Sequence, residues 1–334
     1  MKRLRKRGKE VRVIAYGPGK LAFERHKITP DVTLMCIDPD ISSGVMEVFR
    51  PGALLCGLSV PDSGNSLALE QELTLAAKNC GVKSVAVLDF WSSYLERVSQ
   101  LDISAVPPRI THPFMFMPDV ICTIDEASRA EMLKLGFSPD GIMVTGNPHF
   151  SEIALKGRGA AQGDAKSILY CSQPISPYYG NTLGFDEHST LREVFTIVAQ
   201  IAERRGEKLK LIVRKHPREA NIDVSGLSHG MVEVVGNDSG DLHDAILNSG
   251  LTLSMLSTAL VEARILGRPA ISVQIGRRNE AQEHLATNIS GITALATTGV
   301  KLALLINLAL DGRLGQKEIS VPPDAADNII AHLT

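Results

Sequence analysis

Residues 251–275 read LTLSMLSTALVEARILGRPAISVQI. Leu251 to Ser254 is an apolar run of strand length. It leads through Ser257-Thr258 into a helical stretch, Ala259 to Leu266. Gly267-Arg268-Pro269 stops that helix, and Ala270 to Ile275 is a second strand. Strand, helix, strand in this order is the repeating unit of an open α/β domain. The same rhythm extends in both directions. Downstream, a final helical pattern covers Lys301 to Leu310. Upstream lie strands at Ser167 to Cys171, Leu209 to Arg214 and Met231 to Val235, with a helix at Leu242 to Leu247. Thr190 and Glu193 have capping-box spacing, which predicts a helix from near Leu191 to Arg205.

A second series occupies the first half of the chain. Val11 to Tyr16 ends at Gly17-Pro18-Gly19, and Asp31 to Ile37 ends at Asp38-Pro39-Asp40. Ala53 to Leu58 is followed by a polar loop, Asp62 to Ser66. Leu67, Leu69, Leu73, Ala76 and Ala77 have helical spacing up to Gly81. Ser84 to Leu88 is almost continuously apolar, the mark of a strand covered on both faces in a parallel sheet. Val120 to Thr123, a helix from Glu126 to Leu135 and a strand at Ile142 to Val144 complete the series. Between the two series, composition shifts to Gly, Ala, Lys and Gln. The expected organisation is a first domain over 1–155, a linker over 156–165 and a second domain over 166–334, with the last helix packing back on the first. The fold class is α/β: two Rossmann-like domains facing across a cleft, with ligands at the carboxyl ends of the strands.

Composition excludes several classes. The chain has 334 residues, 44% hydrophobic and 22% charged, which suits a folded two-domain protein rather than a disordered tail or a coiled coil. A net charge of −2 gives no bulk attraction for nucleic acid. Cys36, Cys56, Cys80, Cys122 and Cys171 have no metal-ligand spacing and read as buried free thiols of a reducing compartment. No apolar stretch reaches membrane-spanning length. Lys2, Arg3, Arg5, Lys6, Arg7 and Lys9 precede no hydrophobic signal segment, so they read as a solvated leader that could touch an anionic membrane surface. The expected location is the cytoplasm. A homodimer is open to it, since closed symmetric pairs are common among soluble proteins.

Four segments can carry chemistry. Lys215-His216-Pro217-Arg218 follows a strand and concentrates cationic and hydrogen-bonding groups at its carboxyl end, as a phosphate requires; a solvated basic loop is the plainer account. Ser257-Thr258 offers hydroxyls beside unpaired backbone N–H groups, with Glu262 one turn on and able to accept from ribose hydroxyls; an ordinary helix cap looks the same. Asp89-Phe90-Trp91 and Tyr94 form the third, where Trp91 and Tyr94, three apart on a helix face, stack on a sugar or fill the core. Asp62 or Asp89 is the candidate general base. Gly17-Pro18-Gly19-Lys20 matches neither GxGxxG nor a P-loop, and lets the chain approach substrate or simply turns it. Gly146-Asn147-Pro148 marks a crossing between domains, and His149 beside it enters the cleft or caps the turn. HExxH, GxSxG and Cys/His clusters are absent from the sequence. No metal ligand set is expected.

Together these residues resemble the two-domain GT-B glycosyltransferase fold, shared with the hydrolysing UDP-N-acetylglucosamine 2-epimerases, from Val11 to about Ala331. Pro118 to Cys122 through Val144-Thr145-Gly146-Asn147-Pro148 is similar to the family's crossing between domains. Lys215-His216-Pro217 resembles the HP motif of bacterial capsule polysaccharide transferases that use CMP-linked acidic sugars. Ser257-Thr258 to Glu262 resembles their serine-rich donor-phosphate motif; in the epimerases the corresponding loop and glutamate bind the UDP moiety. Met255-Leu256-Ser257-Thr258 stands where the epimerases have Asp-Ser-Gly-Gly.

The resemblance implies an enzyme that transfers a sugar from a CMP- or UDP-linked donor to a carbohydrate acceptor. It needs no metal and no cofactor beyond the nucleotide-sugar substrate. His216, Ser257 and Thr258 would stabilise the departing phosphate, Lys215, Pro217 and Arg218 would shape its loop, and Glu262 would hold the ribose. Gly17, Gly19, Trp91 and Asn147 would line the substrate site. A nucleotide-sugar 2-epimerase or hydrolase, and a non-catalytic sugar- or partner-binding member of the fold, are the alternatives.

Overall fold

The computed structural model describes residues 1–61, 67–105, 108–219, 222–236, 240–278 and 291–333. The chain divides into two compact units, Met1–Pro148 with Pro322–Thr334, and His149–Val321.

The first unit begins with α1 (Lys2–Lys6), β1 (Ile14–Tyr16), α2 (Pro18–Arg25), β2 (Val32–Leu34) and α3 (Pro39–Phe49). It continues through β3 (Ala53–Gly57), α4 (Leu69–Asn79), β4 (Lys83–Val87), β5 (Gln100–Asp102) and β6 (Arg109–His112). β7 (Val120–Thr123), α5 (Glu126–Lys134) and β8 (Ile142–Val144) follow. Strands β3-β4-β7-β8 form one parallel sheet, β1 pairs β2 in a separate parallel pair, and β5 pairs β6 antiparallel. In β4, Val85 and Ala86 are both fully buried although successive side chains point to opposite faces, so this strand is covered on both sides.

The second unit opens with α6 (Pro148–Gly157), which runs into the glycine-rich stretch. Then come β9 (Asp164–Cys171), α7 (Ser176–Tyr179), α8 (Glu187–Arg205), β10 (Leu209–Arg214), β11 (Val232–Gly236) and α9 (Leu242–Leu247). β12 (Ser249–Ser254), α10 (Ala259–Ile265), β13 (Ala270–Val273), β14 (Ala294–Ala296) and α11 (Gly299–Leu310) complete it. The sheet is all parallel in the order β11-β10-β9-β12-β13-β14. The chain builds outward from β9 to β11, then returns to β9's other side with β12. The reversal lies between β9 and β12, where Thr252 pairs with Leu169 and Leu253 with Tyr170. Leu191, Val194, Val198, Ile201 and Ala202 form one buried stripe of α8 against Ile168, Leu211 and Val213. Burying each large side chain of that stripe contributes about 1.5–3 kcal/mol.

After the second unit, α12 (Ala325–Ile330) returns to the first, where Ile329 packs with Val85 and Cys122. Asn328 donates to the Thr145 carbonyl at 3.2 Å. Gly146 makes this seat workable: its φ is +83°, and a Cβ there would lie 2.9 Å from Pro322 Cγ.

Several local expectations change. Helix α8 starts at Glu187 on the cap Asp186, whose Oδ1 accepts the N–H groups of His188 and Ser189. Thr190 therefore lies inside the helix and buried, because Asp186 is the better cap. Asp38-Pro39-Asp40 is a helix start rather than a loop, with Asp38 accepting the Asp40 N–H at 2.8 Å. Pro18 and Gly19 likewise fall in α2, with Gly17 at φ +50° before it. Residues 90–95 turn instead of forming a helix, with Ser93 at φ +55°. The basic leader forms α1, and Arg3 and Arg7 pair with Asp327 of α12. Cys122 and Cys171 are buried, but Cys36 and Cys80 are exposed, because each lies beyond the end of a strand or helix. No helix among the described residues is long and apolar enough to cross a membrane.

Candidate functional site

Open parallel sheets present ligand sites at the carboxyl edge where strand order reverses, because the loops there diverge to opposite faces. In the second unit that point is bracketed by the loops leaving β9, β10 and β12. Strand β9 is the middle of the three, so the loop carrying His216 and the loop carrying Ser257 flank the segment that begins at Ser172.

Side chains tie these loops together. Glu219 accepts the His216 backbone N–H at 2.7 Å with one oxygen and the Ser172 hydroxyl at 2.8 Å with the other. Gln173 accepts the Leu256 N–H at 2.6 Å, joining the β9 and β12 loops. Buried Glu187 accepts the N–H groups of Ile175 and Ser176 and the Ser176 hydroxyl. None of the three was singled out from the sequence. Only Glu219 carried a signal, an acidic residue three positions beyond His216.

His216 is half-buried, and its Nδ1 accepts the Arg218 N–H at 3.1 Å. That bond assigns the proton of the neutral ring to Nε2. Burial holds its pKa below the ordinary histidine value, with Glu219 opposing and Arg218 adding to the effect. Lys215 is half-buried, while Pro217 and Arg218 are exposed. Ser257 Oγ accepts the Ala259 N–H at 3.1 Å, whereas the Thr258 hydroxyl makes no capping bond to α10. Both residues are half-buried.

Glu262 is held between two imidazoles. Its side chain is 9% exposed, His149 Nε2 lies 3.4 Å from Oε1 and His243 Nε2 lies 2.9 Å from Oε2. Burial alone would raise the carboxyl pKa, but the hydrogen bonds and charges of the two imidazoles bring it down to about 2. The hydrogen bond to Glu262 in turn raises the His149 pKa, against the opposing effect of burial.

The other predicted residues belong to the first unit. Asp62 lies outside the described residues. Asp89 follows β4 with its side chain 71% exposed and bonds Arg97 at 2.8 Å. Arg97 is buried and also donates to the carbonyls of Leu58 and Ser92. Trp91 is 5% exposed, and its indole N–H donates to Asp125 at 2.8 Å. Tyr94 is buried in the cluster with Leu88 and Val98. That arrangement matches the packing account of these aromatics. Asn147 is buried and Gly17 exposed. Gly19 borders a cavity of about 1280 Å³ lined by residues of β1, α3, β3 and α4, including Ile14, Met46, Leu54 and Leu73.

No protein-family model and no curated protein sequence matches the chain. Solved structures do. The chain is similar to UDP-GlcNAc 2-epimerase from Methanocaldococcus jannaschii, with 15% identity and a TM-score of 0.66 over 99% of this chain and 94% of that one. It is similar to UDP-GlcNAc 2-epimerase from Neisseria meningitidis bound to UDP-GlcNAc, with 14% identity and a TM-score of 0.59 over 93% and 87%. The MurG of Acinetobacter baumannii matches with 11% identity and a TM-score of 0.54 over 99% and 92%. The shared feature is the fold: two parallel α/β units of the GT-B type across nearly the whole chain.

Proposed function

We propose that the chain is an enzyme acting on a nucleotide-activated sugar, with the phosphates of the nucleotide held at the carboxyl edge of the second unit's sheet. The observation that carries this reading is the bracketing of β9 by two loops suited to phosphate, His216's on one side and Ser257's on the other. His216 Nε2–H and the hydroxyls of Ser257 and Thr258 would donate to the phosphate oxygens. Lys215 and Arg218 would add positive charge, and Pro217 would set the turn. A ribose contact from Glu262 would require it to exchange an imidazole for a hydroxyl. In the first unit, Gly19 with the cavity it borders, and Gly17 beside it in the sequence, would serve the sugar.

The chemistry favoured is epimerisation or hydrolysis of the donor without a separate acceptor. The likeness to UDP-GlcNAc 2-epimerases supports it. Transfer to a carbohydrate acceptor, with Asp62 or Asp89 as base, is the second reading, and the Lys215-His216-Pro217 motif favours it. Calorimetric titration with UDP, CMP, ADP and GDP comes first: no binding by any of them would sink both readings. NMR of UDP-GlcNAc and CMP-linked sugars with the pure protein then separates the two. Free sugar or a 2-epimer formed without acceptor supports the first. A donor that is stable alone but consumed when oligosaccharide is added supports the second.

A further inference from the structure

His149, His243 and Glu262 come from three different helices, α6, α9 and α10, and meet at one point in the second unit. Their donor atoms all lie within 4.8 Å of one another, and among the described residues they are the one cluster of three such side chains. We propose that these residues bind a divalent transition cation of the zinc class. The proposal shares Glu262 with the nucleotide reading but does not depend on it.

The spacing fits. Around a tetrahedral ion with bonds of about 2.0–2.1 Å, neighbouring ligand atoms sit roughly 3.3 Å apart. His149 Nε2 lies 3.4 Å from Oε1 and His243 Nε2 2.9 Å from Oε2, so each ring is at ligand spacing from one oxygen of the carboxylate, and an ion would draw the two rings together around it. Two imidazole nitrogens and one carboxylate suit zinc, cobalt or nickel rather than magnesium or calcium, which take oxygen.

The charge balance fits as well. Glu262 is buried, and among the described residues its only ion-pair partners are the two imidazoles. A buried carboxylate needs a countercharge, which the imidazoles supply when protonated and lack when neutral. A divalent ion would supply it without requiring either ring to be protonated.

A carboxylate lies close to the second nitrogen of His243. Its side chain is 13% exposed, and its Nδ1 lies 3.7 Å from Asp241 Oδ1. Ligating histidines commonly turn their second nitrogen toward a carboxylate, which fixes the tautomer and leaves Nε2 for the metal. Asp241 is itself held by the N–H groups of His243 and Asp244. Lys156 Nζ, a donor only, lies 3.3 Å from the same Nδ1 and 3.6 Å from Asp241, so metal binding through Nε2 would require Nδ1 to take the proton and turn from Lys156 to Asp241. His149 is 54% exposed, which leaves the solvent side of a three-ligand site open for water or a substrate oxygen. The sequence did not suggest this site, because His149 and Glu262 stand 113 residues apart.

The test uses the full chain after dialysis against EDTA. Calorimetric titration with zinc chloride should show one strong equivalent, and cobalt chloride should give a visible d–d absorption that zinc displaces. His243→Ala and Glu262→Gln should each weaken zinc by about 100-fold or more. Asp241→Asn, which keeps all three ligands, should weaken it about 10- to 100-fold. His149→Ala, at an exposed position, tests the site without threatening the fold, and melting curves accompany every variant. Cys36→Ser with Cys80→Ser removes the exposed thiols as competitors and should leave binding unchanged. Binding that follows those cysteines, binding that persists in His149→Ala and His243→Ala, or less than about a tenth of an equivalent in the wild type would each overturn the proposal. Because the metal alone is the probe, none of these results bears on nucleotide binding.

Discussion

Glu219 clamps His216 by its backbone, accepting the N–H at 2.7 Å while its other oxygen holds Ser172 at 2.8 Å. One carboxylate thus sets the distance between the loops leaving β10 and β9. Glu219→Ala leaves the His216 N–H without its acceptor, a change that costs about 1–3 kcal/mol. Nucleotide affinity should fall about ten-fold or more, and Glu219→Gln should recover part of it. Calorimetry with UDP and CMP, with melting curves alongside, checks this. An affinity loss no larger than the loss of folded protein would show a structural brace only.

His216→Ala and Ser257→Ala should each weaken nucleotide binding by roughly 1.5–3 kcal/mol, and the double variant by less than the sum, since both act on one phosphate. Burial keeps His216 neutral to a lower pH than a free histidine. A bound phosphate would draw a proton onto it, so wild-type affinity should rise as pH drops through about 6.5, with proton uptake on binding. His216→Ala should lose that pH dependence. The linkage to folding has the opposite sign. The unfolded chain binds this proton more readily, so stability from neutral His216 is present above about pH 6.5 and declines as pH falls below it. Titrations in buffers of different ionisation enthalpy read the first effect, and melting at roughly pH 6 and pH 8 reads the second.

Gly146→Ala should destabilise the first unit by about 1–3 kcal/mol. It combines a φ of +83° with a Cβ 2.9 Å from Pro322. Gly17→Ala meets only the backbone penalty, since nothing lies within 4 Å of the added carbon. Thermal melting should rank the two in that order, and faster proteolysis near the C-terminus should accompany Gly146→Ala alone.

Asp186→Ala should cost about 0.5–2 kcal/mol by removing the α8 cap. Burial would raise the Asp186 pKa, but the bonds from Ser189 and His188 hold it below the usual carboxylate value. Its contribution is therefore complete above an unfolded value of about 3.9 and is lost as pH falls through the lower folded value. The melting difference between wild type and variant should be full at pH near 7 and should close as pH falls well below about 3.9.

Asp89→Asn should change stability by less than about 1 kcal/mol, because the carboxylate is mostly exposed. Arg97→Ala should cost about 3 kcal/mol, since it leaves buried carbonyls unpaired. If Asp89 is the base of a transfer reaction, Asp89→Asn will lower kcat with an oligosaccharide acceptor while the melting temperature stays near wild type. An unchanged kcat removes it from that role.

Sequence by itself determined the local grammar of this protein. The strands at Ile142–Val144 and Leu209–Arg214 and the helix at Leu242–Leu247 were read to their last residue. Apolar runs of strand length and clear stop residues depend only on near neighbours. The same reasoning failed at Thr190, where a nearer cap, Asp186, competed, and at 90–95, where Ser93 adopts a positive φ that no apolar spacing predicts. The Lys215–Arg218 and Ser257–Thr258 loops were legible as candidates because each lies within four residues of a strand end.

Tertiary structure alone decided the rest. Strand order, and so the reversal between β9 and β12, depends on pairings between segments about 80 residues apart, such as Ser254 and Cys171. Whether Trp91 faces a sugar or the core turned on Asp125, 34 residues away. The meeting of His149, His243 and Glu262 required three helices from distant parts of the chain to come together. Local sequence sets what each segment can become, but contacts between distant segments form only when the chain has paid the entropy of closing the loops between them, and no short window of residues records that outcome.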